Sequence, residues 1–390
     1  MTNTLDPTVP PTPPGAHPIA PAGLKGVIVA ETTIGSVRGG EGFYHYRQFD
    51  ATAVARDHSF EGMTHLLLSG DLPDSTIEAQ VQQRLGLARQ LPDRSLEVLD
   101  MLAANTRTPM ETLRAMLPLL SNPKPTLDLD DQARREAVLD LIGAVPSVLA
   151  RAHRIQSGLS PIEADPSARH SADYLRMITG TAPRPEVATA LERYLVLTAD
   201  HGFNNSTFAT RVITSTGADV SSIIGGALAS LSGPLHGGAP SRVLEMIEAI
   251  GATSNTEAWA RSQLKQGHKI MGFGHAVYAA QDPRSALLAE TASELGGELV
   301  ERAREIEGRL LAVMNEWRPD ATIVTNVEFY AALVLHLAGV PSQLFTPTFA
   351  VSRVVGWSAH LLEQAANNKI IRPSARYIGP EPQRFDPTIE

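Results

Sequence analysis

The sequence predicts a mainly helical, all-α protein with one small β-hairpin near its N-terminus. Three observations carry this. Apolar residues recur at intervals of three and four across segment after segment of roughly 10–20 residues. Strand–helix–strand alternation and internal repeats are both missing from the sequence. Strand-like runs gather only between Val27 and Tyr46.

Taken in order, residues 1–21 hold seven prolines and, besides the terminus, one charge, Asp6. They have no apolar periodicity, so 1–22 is expected to be a disordered tail and structure to begin near Gly23. Val27-Ile28-Val29 and Phe43-Tyr44-His45-Tyr46 are rich in β-formers and flank Gly39-Gly40, which predicts a hairpin. Ser59 can cap a helix that carries Leu66, Leu67 and Leu68 and stops at Gly70. Ser75 opens another, through Leu87. Helices over 110–120 and 131–156 follow, the second kinked at Pro146. Val243, Ile247 and Ile250 mark one helix after Pro240. Leu299, Ala303, Ile306, Leu310 and Met314 mark another over about 298–316.

At 390 residues the chain can bury a sizeable core without staples, and its length suggests about two or three domains. Lys and Arg total 33 against 42 Asp and Glu, a net charge of −9. That argues against a nucleic-acid partner, which needs a basic surface. The lack of cysteine removes disulfides, thiolate metal sites and cysteine nucleophiles. No signal peptide is expected, since no apolar run follows Met1 and the first Lys is Lys25. The most apolar stretch, Val327 to Val340, is too short to span a bilayer and contains Glu328 and His336. A cytoplasmic protein with no membrane partner is expected.

Three irregular segments, 232–240, 267–283 and 319–328, interrupt the helices and are where chemistry is sought. Gly272-Phe-Gly274 has Val277 in place of the third glycine of a dinucleotide fingerprint, and no strand precedes it. P-loop, zinc-protease and nucleophile-elbow motifs are missing. Of the twelve histidines, His17 lies in the tail, and His45, His58, His65, His153, His170, His268, His336 and His360 sit in regular patterns or beside charges. Three differ. His236 lies in Gly233-Pro-Leu-His-Gly-Gly238, His275 in Gly272-Phe-Gly-His-Ala-Val-Tyr278, and His201 in Ala199-Asp-His-Gly202. Flanking glycines allow close approach to an imidazole, although a turn histidine without a role fits the same pattern. Arg284, after Asp282-Pro283, can turn back on its own loop. Arg353 falls in an apolar helical run, which disfavours a guanidinium unless it meets a carboxylate. Glu328, in Thr325-Asn-Val-Glu-Phe-Tyr330, is either a catalytic acid or a helix cap.

Together these motifs resemble the citrate synthase family. Gly233–Ala239, Gly272–Arg284, Asn326–Tyr330, Arg353–His360 and Arg372–Gly379 stand in the family's order, and Gly23–Thr32 matches its N-terminal segment. The resemblance covers about residues 23–380. It implies a two-domain helical fold: a large domain of 23–247 plus 347–390 that forms a dimer interface, and a small domain of 248–346 that closes over the active site. It implies condensation of acetyl-CoA with oxaloacetate, with no metal and no cofactor beyond the thioester itself. Glu328 would be the base, His236 the donor to the thioester carbonyl and His275 the donor to the ketone. His201, Arg284 and Arg353 would hold oxaloacetate, with Arg372 supplied across a homodimer. Gly272, Gly274 and Lys269 would lie along CoA.

The sequence departs from the family in three places. Glu328 stands where Asp is usual, a reach longer by ~1.5 Å. The loop is then either adjusted to Glu or the enzyme is weak. Similarity of Asn-Val-Glu-Phe to an actinobacterial-type branch of the family favours adjustment. Ala276 and Ala279 stand where many bacterial members of the family carry cations that help hold CoA phosphates, for which Lys265, Lys269 and Arg376 are the candidate substitutes. Ser374 replaces a common Arg. Two alternatives stand beside citrate synthase: a 2-methylcitrate synthase using propionyl-CoA, and a non-catalytic dimer that binds a metabolite or partner.

Overall fold

Short polar side chains start many of the helices by accepting the backbone N–H groups that the first turn leaves unpaired. Asp50 takes the amides of Thr52 and Ala53, Ser59 that of Gly62, Asp74 those of Thr76 and Ile77, and Asp130 that of Ala133. Asn204, Asp219, Asp282 and Asn326 act alike further on. The computed structural model describes residues 18–233, 236–237, 240–274, 278 and 281–382. They contain sixteen α-helices and one small sheet. The all-α fold expected from periodicity is therefore the one observed.

In chain order the helices are α1 Ala51–Asp57, α2 Phe60–Ser69, α3 Ser75–Arg89, α4 Asp93–Asn105, α5 Pro109–Met116, α6 Asp131–Gln156, α7 His170–Thr179 and α8 Pro185–Thr198. Then come α9 Asn205–Thr214, α10 Val220–Leu231, α11 Pro240–Ile250, α12 Thr256–Lys265, α13 Pro283–Leu295, α14 Glu298–Trp317, α15 Val327–Leu337 and α16 Phe345–Ala366. The helix capped by Ser59 ends as its sequence indicates, with Gly70 in the left-handed region at φ 105°. Helix α6 continues through Pro146, and the expected 110–120 helix is α5 followed by a 3-10 turn, Leu117–Leu119.

The hairpin differs from expectation. Its strands are β1 Gly35–Arg38 and β2 Phe43–Tyr46, with β3 Phe49–Asp50 added antiparallel beside β2. Val27–Val29 is no strand. A β-rich run needs a ladder partner, and β2 pairs instead with the residues closest to the turn, Arg38 opposite Phe43 and Gly35 opposite Tyr46. Ile28 is left 88% exposed.

Two long helices organise the core. Helix α6 packs against α3, α4, α5, α7 and α16, and α16 also packs against α2, α8, α9 and α10. Leu141, Ile142, Val148 and Leu149 of α6 and Val351, Val355, Trp357 and Leu361 of α16 are buried. Helix α15 is apolar nearly all round, Phe329 to Leu335 being buried, and packs against α8, α11 and α13. The chain divides into two compact units: Thr33–Ile370, and the described parts of Met1–Thr32 and Ile371–Glu390. Residues 1–17 of the expected tail lie outside the described residues. No helix of the described residues is long and apolar enough to cross a membrane.

Candidate active site

The sheet fixes the end of α8. Tyr44 and Tyr46 point inward from β2, where the Tyr44 hydroxyl donates to the Leu197 carbonyl at 3.0 Å and the Tyr46 hydroxyl to that of Val196 at 2.7 Å. These bonds satisfy carbonyls the helix end leaves open and hold the chain that follows, Asp200-His201. The Nε2 atom of His201 lies 2.9 Å from the Tyr278 hydroxyl, and its ring meets Tyr44 edge-on at 5.3 Å. Asp200 is buried and faces Nε2 of His360 at 3.3 Å, while Nδ1 of His360 accepts from Nε of Arg211 at 3.2 Å. Because a guanidinium can only donate, Nδ1 is the accepting nitrogen of His360, and Nε2 is the ring nitrogen that faces Asp200.

Arg284 is the second residue of α13 and is gripped by that helix's own cap. Asp282 accepts from Nε at 3.0 Å and Nη2 at 2.8 Å, a bidentate pair with both side chains buried. Burial works against the Arg284 cation, but the Asp282 charge and hydrogen bonds outweigh it and hold the guanidinium more firmly protonated than usual. Arg353, on α16, has no such partner. Its Nε donates to the Thr198 carbonyl at 2.8 Å and its guanidinium sits 4.6 Å over the Phe349 ring. The two terminal nitrogens make no hydrogen bond to a described residue. Burial pulls this guanidinium below its ordinary range, and the Asp200 charge opposes that pull. The carboxylate expected for a buried arginine is thus at a distance rather than in contact.

Glu328 stands at the N-terminus of α15, held by a short zipper. The Asn326 amide donates to the Gly272 carbonyl at 2.9 Å, the Gly274 amide to the Val324 carbonyl at 2.8 Å, and Asn326 Nδ2 to the Gly274 carbonyl at 2.9 Å. The Val327 amide donates to Asp282 at 3.1 Å, so one carboxylate ties Arg284 to the segment bearing Glu328. Asn326 caps α15 by accepting the Glu328 amide at 3.0 Å. Glu328 is therefore not the cap, and its own carboxylate has no hydrogen-bond partner among the described residues. Burial pushes that carboxyl up to about 7; Arg284 draws it down and Asp282 pushes it further up.

His236 meets Ser206 at 2.9 Å through Nε2. Burial, aided by the nearby Arg353 charge, lowers this imidazole to about 4, so it is neutral near pH 7. Ser206 is fully buried, donates to Asn204 Oδ1 at 2.9 Å and accepts from Trp357 Nε1 at 3.1 Å.

Charge interactions join Glu328 to Arg284, Arg284 to Arg353 and Arg353 to His236, and His201 joins them through Tyr278, which also faces Arg284. His275, with Ala276 and Ala279, lies outside the described residues. Gly272 and Gly274 form the zipper against α15, and Lys269 is exposed on the approach to it. Arg372 is exposed in the other unit of the chain. Motif reading passed over Tyr278 and Asp282, which lie inside the quoted motifs and could have been found there. It also passed over Ser206 and His360, whose roles come from contacts between distant segments. Among the described residues no group of three or more His, Asp or Glu could hold a metal ion.

Two buried guanidiniums, two imidazoles and an acid poised near neutrality form a site for proton transfer beside a polyanion. A family model described as the C-terminal domain of citrate synthase matches residues 23–374. The chain is 36% identical over 375 residues to a citrate synthase of Haloferax volcanii, covering 94% of this chain and 98% of that protein. It is 34% identical over 375 residues to a 2-methylcitrate synthase of Shewanella oneidensis, covering 95% and 98%. A solved citrate synthase from Pyrobaculum aerophilum has a TM-score of 0.84 at 30% identity, covering 94% of each chain. One from Thermoplasma acidophilum, solved with carboxymethyl coenzyme A and oxaloacetate, has a TM-score of 0.83 at 26% identity, covering 96% of this chain and 99% of that one. The chain belongs to the citrate synthase family and is an acyltransferase of that family.

Proposed function

We propose that the protein condenses acetyl-CoA with oxaloacetate and water, giving citrate and CoA. The observation that carries this is Glu328: a half-buried carboxyl without a hydrogen-bond partner among the described residues, raised to about 7, on a segment tied through Asp282 to Arg284. Such a group suits removal of a proton from the thioester methyl near neutral pH.

In this scheme neutral His236 donates an N–H to the thioester oxygen as the enol forms. Trp357 donates to Ser206, and the Ser206 hydroxyl gives its one proton to Asn204 Oδ1. With substrate bound, the scheme has that proton turn from Asn204 to Nε2 of His236, which leaves the N–H on the other ring nitrogen, toward the substrate. The enol carbon then attacks the ketone carbon of oxaloacetate, and His275 protonates the resulting alkoxide. His201, Arg284 and Arg353 hold the two carboxylates, Arg284 pre-aimed by Asp282 and Arg353 through its free terminal nitrogens. Water hydrolyses citryl-CoA, releasing the CoA thiol. The scheme needs no metal or further cofactor. A homodimer with Arg372 supplied across subunits, a small domain of 248–346 closing over the site, CoA along Gly272, Gly274 and Lys269, and a cytoplasmic location complete the proposal.

The Shewanella relative supports propionyl-CoA as the second candidate substrate. An extra methyl in a pocket changes binding by only about 1–3 kcal/mol, so the preference has to be measured. Thiol release should require oxaloacetate, and kcat/KM should be higher with acetyl-CoA than with propionyl-CoA. The reverse order would make the protein a 2-methylcitrate synthase.

A further inference from the structure

We propose that Glu307 is a positioning residue for Glu328, a role that rests on the reading of Glu328 as the base. Glu307 lies midway along α14 and uses both carboxylate oxygens on the segment that carries Glu328. Its Oε1 accepts the Thr325 hydroxyl at 2.5 Å, and its Oε2 accepts the Tyr330 hydroxyl. Thr325 immediately precedes the cap Asn326, and Tyr330 lies two residues beyond Glu328. One carboxylate therefore pins the segment on both sides of the base. Both donor residues are buried, Thr325 at 8% and Tyr330 at 4% exposure, and the bonds themselves are partly buried.

Other elements hold the same segment through the Asn326 amide to Gly272 and the Val327 amide to Asp282. The bonds from α14 and those from the start of α13 and its preceding loop together tie down the first turn of α15 at several points. That matters because the Glu328 carboxylate makes no hydrogen bond of its own to a described residue. Its position follows from where the backbone places it. A glutamate also has one more rotatable bond than an aspartate, so an error in the backbone is carried further at the reacting atom. A misplacement of about 1 Å can cost ~100-fold in rate. Glu307 itself, with both oxygens engaged, takes no proton from the substrate.

The test is steady-state kinetics with oxaloacetate titration on the full-length protein. Glu307→Ala should lower kcat by roughly 10- to 100-fold. Oxaloacetate affinity should be unchanged, because His201, Arg284 and Arg353 make no bond to Glu307. Tyr330→Phe and Thr325→Val each remove one bond and should each lower kcat, and the two combined should match Glu307→Ala. Glu307→Gln retains one acceptor oxygen and should recover much of the rate. In a Glu328→Gln background, Glu307→Ala should cost nothing further, since a positioning residue has no effect once the group it positions is gone.

Full kcat in Glu307→Ala, alongside a nearly inactive Glu328→Gln, would overturn the positioning role alone. So would an equal loss of oxaloacetate affinity, or a full additional loss in the double variant; both describe general structural damage. Full turnover in Glu328→Gln would remove the base assignment and the positioning role with it.

Discussion

At the residue scale, the two arginines are prepared in different ways. Arg284 is held by a buried bidentate carboxylate, whereas Arg353 has a single bond to a carbonyl and an aromatic ring beneath it. An anion reaching Arg353 therefore displaces no protein carboxylate in contact with it. Arg353→Leu should weaken oxaloacetate binding by about 10- to 100-fold, the worth of one or two charge-assisted hydrogen bonds. Its melting temperature should hardly fall, because leucine suits this buried stretch of α16. Isothermal titration with oxaloacetate and a thermal melt measure the two quantities. Unchanged affinity would make Arg353 a structural residue. His201, His236, Glu328 and both arginines were legible because glycine-flanked histidines, an arginine in an apolar run and an acid at a helix start are each anomalous in sequence. Ser206 and Glu307 were not. A serine inside a helical pattern, or a glutamate on an amphipathic helix such as α14, has the same appearance whether it faces water or a distant hydroxyl.

At the scale of elements, the zipper between Gly272–Gly274 and Val324–Asn326 is the piece that sets the acid. Gly272 adopts φ 84°, and a Cβ there would lie 3.0 Å from Phe329, the residue next to Glu328. Gly267 offers a control, with φ 74° and nothing within 4 Å of an added Cβ. Gly272→Ala and Gly267→Ala should both lose stability, by ~1–2 kcal/mol for a left-handed non-glycine residue. Only Gly272→Ala should also lose turnover, since it alone pushes on Phe329. Equal kcat in the two would show that the zipper does not place Glu328. The helices themselves were readable from caps and periodicity, as Ser59 to Gly70 shows. The hairpin was misplaced by one strand, because Val27–Val29 carries more β-propensity than Gly35–Arg38, yet pairing is decided by proximity to the turn.

At the scale of the whole molecule, an acidic chain of net charge −9 gathers buried cations at one place and sets among them Glu328, an acid whose carboxylate has no hydrogen-bond partner among the described residues. Residues separated by up to about a hundred and fifty positions meet there, Asp200 and His201 with Arg284, Glu328 and Arg353. The sequence shows such residues singly; their meeting is a property of α8, α13, α15 and α16 packed together. The site's pH dependence follows. Glu328, raised to about 7, must be ionised to act, and His236, lowered to about 4, stays neutral above that value. kcat/KM should therefore rise with pH through about 7. Because the raised carboxyl favours the folded state when protonated, its penalty on stability grows as pH rises from its ordinary value through about 7. Replacing it with a neutral isostere should leave the melting temperature at pH 8 unchanged or higher, where loss of a cap would lower it. The most direct measurement is turnover of Glu328→Gln with oxaloacetate binding followed in parallel. Turnover should fall by ~100- to 10,000-fold, with oxaloacetate affinity nearly intact and the rising pH limb gone. Full turnover with only a lower melting temperature would contradict the account.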